Sequence, residues 1–203
     1  MCLVLTAPWW GLARLEAGLG DSERVFTAFA ELFSLFPGAA GVYLRQAYYR
    51  MTLERCAADC HVGFGTIFTH RNLTIGEGVY IGNRCTVGMA RIGRDVTIGS
   101  NVDVLSGRHQ HFTRAPGIPV QRQGGEYVPV RIGPNAWIGN SAVVMADVGS
   151  DSVVGAGSVV VHAVPAGSVV AGNPAVVKKR LFADEPGLRR AATVRERSGK
   201  TAP

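Results

Sequence analysis

The most regular feature of the chain is an aliphatic residue followed directly by glycine, which recurs about every six residues between positions 75 and 160. The aliphatic positions of these hexads are Ile75, Ile81, Val87, Ile92, Ile98, Val104, Ile132, Ile138, Val144, Val148, Val154 and Val160. A period of six fits neither a helix nor a long alternating strand, but it fits a short strand and a corner that are repeated. The pattern therefore predicts an all-β coil.

Three such strands per turn close a triangle, and the coils stack into a parallel β-helix. The first position of each hexad points inward, and glycine at the second position lets the backbone turn. The fifth position fills the space beside the corner and is small or β-branched, as at Val79, Cys85, Val96, Val102, Ala136, Ala142, Ser152 and Ser158. With strands about 4.8 Å apart, about five coils make a prism about 25 Å tall.

The segment before the repeats, residues 21–56, has the apolar periodicity of two helices separated by Pro37-Gly38. Asp21 and Ser22 are candidate N-caps of the first helix. Glu31 and the Pro-Gly break argue against a membrane span, so we expect a helical cap on the open first coil. A peripheral membrane contact through these N-terminal helices, helped by Trp9, Trp10 and nearby arginines, is the alternative.

The hexads stop between Leu105 and about Val130, and this interruption contains His109 and His111. Long loops in compact domains are usually functional. Imidazole, with an ordinary pKa near 6.5, is suited to take a proton at neutral pH. We therefore expect a loop that leaves one corner of the prism and presents a histidine base.

Composition adds a charge of +6, from 21 Lys and Arg against 15 Asp and Glu, with much of the excess in the last third of the chain. This favours an anionic partner, and we expect a phosphorylated cofactor rather than nucleic acid. A solvated tail is the other interpretation for 186–203.

The 4 cysteines show no dense spacing and no signal peptide precedes them, which favours free thiols in the cytoplasm. Cys56-x-x-x-Cys60-His61 lacks a second ligand pair, so buried thiols are favoured over a metal site.

Taken together, these patterns divide the chain into three parts. Residues 1–58 form the helical segment, 59–178 form the β-helix with its loop at 105–130, and 179–203 form a basic tail.

The hexads, the loop histidines and two later segments, Pro129–Trp137 and Val164–Ala175, resemble the hexapeptide-repeat acyltransferases. That family includes galactoside, maltose and streptogramin acetyltransferases and O-acetyltransferases of surface polysaccharides. The resemblance implies a left-handed β-helix, acetyl-CoA as acyl donor, no metal, and transfer to a hydroxyl of a sugar or glycan. It also implies a homotrimer in which each site is shared between adjacent prisms.

The resemblance also assigns roles to individual residues. His109 is the expected general base, with His111 as the alternate, and the backbone N–H of Asn140 is the expected oxyanion donor. Glu126 or Asp103 is the candidate to orient the imidazole. The expected coenzyme A groove is lined by Trp137, Gly139, Ala156, Gly157, Ala171, Gly172, Lys178 and Lys179. Relatives often carry Thr-Lys where this chain has Val161-His162, and Lys or Arg where it has Val176, which leaves the phosphate contacts open. His162 itself is a candidate contact to the coenzyme.

Three other functions compete with this one. An antibiotic or other natural product could replace the sugar as acceptor. A zinc site like that of the γ-carbonic anhydrases needs three histidines across two subunits, and the step from His109 to His111 does not supply them. A non-catalytic scaffold is disfavoured by the loop histidine and by the segment Ala171–Ala175.

Overall fold

The computed structural model describes residues 2–20 and 22–182, and it begins with three helices: α1 (Cys2–Leu19), α2 (Arg24–Ser34) and α3 (Gly38–Thr52). The predicted helical pair broken at Pro37 is confirmed as α2 and α3. The helical segment predicted for residues 1–58 includes α1, but the sequence pattern gave no bounds for this helix, because apolar residues surround most of its circumference and leave no single apolar face.

The predicted N-caps of α2 need correction. Asp21 lies outside the described residues, and the N-cap position belongs to Glu23, whose side chain makes no capping bond, although the Ser22 hydroxyl accepts the N–H of Arg24 at 3.4 Å. The carboxylate of Glu16 on α1 caps the helix instead, since it accepts the N–H of Val25 at 2.8 Å and that of Phe26 at 3.1 Å. A cap supplied from another helix leaves no local sequence signature.

The described residues after α3 form short strands and one 3₁₀ turn, Val120–Arg122. The strands are β1 (Arg55–Cys56), β2 (His61–Val62), β3 (Ile67–Phe68), β4 (Thr74–Ile75), β5 (Tyr80–Ile81), β6 (Thr86–Val87), β7 (Ala90–Ile92), β8 (Thr97–Ile98), β9 (Asp103–Val104), β10 (Val130–Ile132), β11 (Trp137–Ile138), β12 (Val143–Val144), β13 (Val153–Val154), β14 (Val159–Val160), β15 (Ser168–Ala171) and β16 (Val176–Arg180).

These strands form three flat sides of a prism. Side 1 has the order β1-β4-β7-β10, side 2 the order β2-β5-β8-β11-β13-β15-β16, and side 3 the order β3-β6-β9-β12-β14. All pairs are parallel except β15 with β16, and bridges at Val148 and Val164 extend side 1. The chain visits the sides in turn, and the 5 strands of side 3 mark the complete coils within the described residues. The predicted β-helix of about five coils is confirmed.

The core follows the register of the hexads. On side 2, Ile81, Ile98, Ile138, Val154 and Val170 stack in successive coils, and none is more than 2% exposed. Every fifth-position residue named above is also buried. Burying one such aliphatic side chain contributes about 2 kcal/mol, so the stacked columns supply the main driving force for the fold.

The helices cover the open first coil, as the sequence predicted. Arg45 of α3 is fully buried, and its guanidinium donates to the carbonyl oxygens of Phe36 at 2.8 Å and Val62 at 3.0 Å. Beside it, the ring of Tyr49 packs on Phe68 of β3 with 4.2 Å between centroids. Within the described part of the chain, no helix combines the length and apolar character needed to cross a membrane.

Candidate active site

Two edges of the prism carry the residues singled out by the sequence. The edge where the chain passes from side 3 to side 1, called the loop corner here, carries His70, Met89 and the loop 105–129. The edge where it passes from side 2 to side 3, called the groove corner, carries Asn140, Ala156 and Gly172 among others.

The base of the loop is pinned to the coil below. The buried hydroxyl of Ser106 accepts the N–H of Met89 at 2.8 Å, and the carbonyl oxygen of Met89 accepts the N–H of Val130 at 3.0 Å. Both ends of the loop are therefore held by one residue of the preceding corner, so the loop starts and ends at fixed points.

The two arms of the loop run side by side. The N–H of Val128 donates to Ser106 at 3.0 Å, and that of Glu126 donates to the carbonyl oxygen of His109 at 2.7 Å. At Gly125 a side chain is excluded, because a Cβ there would lie 1.8 Å from the carbonyl oxygen of Gln110. These contacts make the loop a narrow paired ribbon that holds the His109 backbone in place.

Both loop imidazoles are exposed, whereas Gln110 between them is half-buried. Within the described residues, no hydrogen bond is made by the ring of His109 or of His111. The carboxylate of Glu126 makes none either, although its backbone pairs with His109. Asp103, the other candidate to orient the imidazole, points outward from β9 between Thr86 and Val143. The imidazoles are thus open to a substrate, with a carboxyl-bearing residue directly across the ribbon.

A cavity of about 490 Å³ lies along the loop corner, between the helical cap and the return arm of the loop. Its walls come from α1, the start of α2, two prism corners and the loop: Ala17, Gly20, Glu23, His70, Arg71, Met89 and Tyr127. The ring of Tyr127 lies 5.8 Å from that of His70. Sequence reasoning missed this cavity, and no local motif marks it, because its residues come from separate elements that only the fold brings together.

The predicted coenzyme residues gather on side 2 and at the groove corner. Trp137 points outward, 55% exposed, in register with Thr97 below and Val153 above. The other members occupy the following corner or its approach in successive coils: Gly139, Asn140, Ala156, Gly157, Ala171 and Gly172. Gly157 has a φ of 68°, which favours glycine, and a Cβ there would meet open space. Gly139 is buried beneath the next coil, where a Cβ would lie 2.5 Å from the nitrogen of Ala156, whereas the corner residues Asn140, Ala156, Gly157 and Gly172 are exposed.

A ladder of side-chain acceptors runs up the groove corner and ends at Asn140. The N–H of Phe64 donates to Asn83 Oδ1 at 2.9 Å, that of Asn83 to Ser100 Oγ at 3.1 Å, and that of Ser100 to Asn140 Oδ1 at 3.0 Å. The next coil has Ala156 at this position, and alanine offers no acceptor. The N–H of Asn140 consequently has no hydrogen-bond partner among residues 2–20 and 22–182, and it is available to a ligand.

The basic residues predicted for coenzyme phosphates lie on β16, which folds back along the edge of side 2. Lys179 pairs with Val169 of β15, while Lys178 falls at an irregularity in the register. Arg180 donates to the hydroxyl of Ser168 at 2.9 Å. Both lysines are exposed, so they add positive charge at the top of the surface that carries Trp137.

One chain does not bring the two halves of the site together. His109 extends from the loop corner, whereas Asn140 and Trp137 belong to the groove corner and side 2. His162, which stands with Val161 where relatives often carry Thr-Lys, also lies at the loop corner. A site that combines imidazole and groove needs the loop of one prism to lie against the groove corner of another.

The other residues that could bind a metal or react, such as His61, Cys56 and Cys60, lie apart from both corners or are buried. In the described part of the chain, no group of three or more His, Cys, Asp or Glu side chains could hold a metal ion. His61 stacks on Tyr80, 4.6 Å between centroids, and burial together with the Arg45 charge lowers its pKa. The Cys56 and Cys60 sulfurs are 3.4 Å apart, and this hydrogen bond raises the pKa of the Cys56 thiol. Cys60 is buried and Cys56 is half-buried, broadly as the sequence predicted.

Comparison with known proteins places the repeats in a defined class. A family model described as the hexapeptide repeat of succinyl-transferase matches residues 72–106 and 129–161. These two segments exclude the loop, in agreement with the interruption seen in the structure.

Two relatives are both called nodulation protein L. The one from Rhizobium leguminosarum bv. viciae is 36% identical over 151 residues, which cover 72% of this chain and 66% of the relative. The one from Rhizobium meliloti (strain 1021) is 34% identical over 152 residues, which cover 71% of this chain and 68% of the relative. The chain thus spans about two thirds of the length of each.

Two solved structures share the fold. A maltose O-acetyltransferase from Clostridium difficile 630 is 24% identical with a TM-score of 0.68, covering 78% of this chain and 86% of that one. A galactoside acetyltransferase in complex with coenzyme A is 25% identical with a TM-score of 0.67, covering 78% of this chain and 80% of that one. The left-handed β-helix that the family resemblance implied is confirmed by this likeness.

Proposed function

Because the chain belongs to the hexapeptide-repeat acyltransferase family, we propose that it transfers an acetyl group from acetyl-CoA to a hydroxyl of a sugar or glycan. The observation that carries this proposal is the exposed imidazole of His109 on a pinned loop whose return arm lines a cavity. Tyr127, which forms part of that wall, directly follows Glu126, the residue paired with His109.

The chemistry follows from two groups. His109 takes the proton of the acceptor hydroxyl as its oxygen attacks the thioester carbonyl carbon. The N–H of Asn140 donates to the oxygen on which negative charge develops, and a fixed donor at that point stabilises the transition state. When the C–S bond breaks, the imidazolium returns the proton to the departing thiolate. The products are an acetyl ester and free coenzyme A, with no covalent intermediate on the protein.

The coenzyme groove is proposed along side 2. Trp137 and the small residues of the groove corner allow the pantetheine arm to approach the backbone, and Lys178 and Lys179 supply charge for phosphates. The galactoside acetyltransferase, bound to coenzyme A, supports a groove of this kind in the fold.

We propose a homotrimer as the working unit. The separation of the loop corner from the groove corner supports it, because each site is completed only when the loop of one prism meets side 2 of the next. We also propose a cytoplasmic location, which is supported by Cys56 and Cys60 being free thiols that form no disulfide.

The sugar is proposed to occupy the loop-corner cavity. Its volume of about 490 Å³ suits a small ligand, and it combines the aromatic ring of Tyr127 with polar groups such as His70 and Glu23. The same walls include Met89, so a natural-product acceptor such as an antibiotic is the competing substrate class.

The test is coenzyme A release from acetyl-CoA by the purified full chain, measured with a thiol reagent against separate pools of mono- and disaccharides and of hydroxylated antibiotics. We expect release that depends on a saccharide acceptor. Mass spectrometry should then show a product about 42 Da heavier than the acceptor, because an acetyl group has replaced a hydroxyl hydrogen. Release with the antibiotic pool alone would transfer the proposal to that class. Absence of release with every pool, from protein that binds coenzyme A, would refute sugar acetylation.

A further inference from the structure

The first helix, α1, buries small and polar side chains and exposes large apolar ones. Among the side chains of α1 that the structure describes, the buried ones are Thr6, Ala13 and Glu16, none more than 9% exposed, and they form a narrow stripe on one side of the helix. Its leucines instead face solvent: Leu5, Leu12, Leu15 and Leu19 are 57%, 48%, 64% and 83% exposed. Those leucines recur at helical spacings of seven, three and four, so they share one face. A helix that buries its polar stripe and exposes leucines is poorly suited to water.

The ends of the cap enlarge this apolar surface. Glu16 caps the start of α2 and Trp9 lies 4.8 Å from Phe29, so α1 and α2 run in opposite directions. The start of α1 therefore lies near the end of α2, where Leu35 and Phe36 are also exposed.

Charge distinguishes among the possible occupants of this surface. Arg14 and Glu16 are the charged residues of α1, and Glu16 is buried in the cap, so the exposed charge of α1 is the Arg14 cation. On α2, Arg24 adds a second exposed cation and Glu31 adds an exposed anion, so the exposed charges of the two helices leave a net positive charge. Trp10, which is 38% exposed on α1, brings an amphipathic ring of the kind that settles at the boundary between headgroups and acyl chains.

From these observations we infer that α1 lies in the surface of an anionic lipid bilayer, with its leucines in the acyl region and Arg14 among the headgroups. The geometry is that of an interfacial helix, parallel to the membrane plane. An 18-residue helix is about 27 Å long, and no helix of the described chain has the character of a span. The inference stands on the helical cap alone and does not depend on the acyl-transfer reaction.

The test is flotation of the full chain with vesicles of phosphatidylcholine containing about one third phosphatidylglycerol, compared with pure phosphatidylcholine. We expect the protein to float with the anionic vesicles, and high salt or Arg14→Glu to weaken that binding. Leu12→Gln together with Leu15→Gln should lower the vesicle partition coefficient about tenfold, because two exposed leucines lose their apolar environment. The matched control, Ile118→Gln with Val120→Gln, removes two exposed aliphatic residues from the loop and should float like the wild type.

A second readout locates the helix in the bilayer. In the Trp137→Phe background the remaining tryptophans are Trp9 and Trp10, and brominated lipids should quench their fluorescence. Failure to float with anionic vesicles, or flotation unchanged by the leucine substitutions, would overturn the inference. So would concentration-dependent self-association without lipid that the same substitutions abolish, because a second copy of the chain would then cover the face.

Discussion

Glu16 on α1 and Arg71 at the loop corner form an ion pair, with the carboxylate Oε2 3.7 Å from a guanidinium nitrogen. The same guanidinium contacts Glu23 at 2.9 Å and donates to the carbonyl oxygen of Ala13. Arg71 therefore ties the first helix, the start of the second and the prism together at the wall of the cavity.

Replacing Glu16 by Gln should destabilise the helical cap. The change removes the negative charge beside Arg71 and replaces an acceptor oxygen by a donor that faces backbone N–H groups. We expect the free energy of unfolding to fall by about 2 kcal/mol, measured by chemical denaturation. The matched variant Glu31→Gln alters an exposed carboxylate on α2. It should change the free energy of unfolding by less than about 0.5 kcal/mol. Equal losses in both variants would contradict the role of Glu16.

The same carboxylate should make stability depend on pH. Burial raises the pKa of Glu16, but the hydrogen bonds from the Val25 N–H, the Ser22 hydroxyl and the Phe26 N–H, with the Arg71 charge, outweigh it and hold the pKa below its ordinary value of 4.5. A carboxyl whose pKa is lower in the folded state stabilises the fold above its unfolded-state pKa, and this contribution is lost as pH falls through the folded value.

The stability advantage of the wild type over Glu16→Gln should therefore be full at neutral pH and shrink at acidic pH, below about 4.5. Denaturation curves of both proteins at a series of pH values test it. An advantage that stays constant into strong acid would show that the ionised carboxylate is not the source.

A hydrogen-bond acceptor at position 156 should occupy the free N–H of Asn140 and make it unavailable to the substrate. In the coils below, Ser100 Oγ accepts the N–H of Asn83 at 3.1 Å, and Ala156→Ser would place the same group above Asn140. We expect kcat for acetyl transfer to fall at least about tenfold while the unfolding free energy is unchanged or slightly higher. Ala166→Ser adds a hydroxyl at the corner between sides 1 and 2 and should keep wild-type turnover. Full activity in Ala156→Ser would argue against the Asn140 N–H as oxyanion donor.

The prism could be predicted from the sequence alone because its core residues recur at short, regular intervals along the chain. Residues such as Ile81, Ile98 and Ile138 are spaced by coils, and each buries itself against its equivalent in the next coil. The loop was predictable for the opposite reason, since the hexads cannot be written from Leu105 to Pro129. The periodicity of α2 and α3 likewise follows from a single apolar face.

The remaining features depend on contacts between distant residues. The free N–H of Asn140 exists because Ala156, one coil away, lacks an acceptor, and only the register between coils reveals that pairing. The cavity joins Glu23, Met89 and Tyr127, which lie on separate elements. Nor could α1 be recognised from an apolar face, because its packed stripe is small and polar.

The central claim is that the His109 imidazole removes the acceptor proton, and its most direct test compares the kcat of His109→Ala with that of His111→Ala. Both residues are exposed on the same loop arm, so neither change should alter thermal stability, and His111→Ala serves as the matched control. The account predicts a fall in kcat of at least about 10²-fold for His109→Ala, with coenzyme A affinity retained and near-normal turnover in His111→Ala. Wild-type turnover in His109→Ala would contradict it.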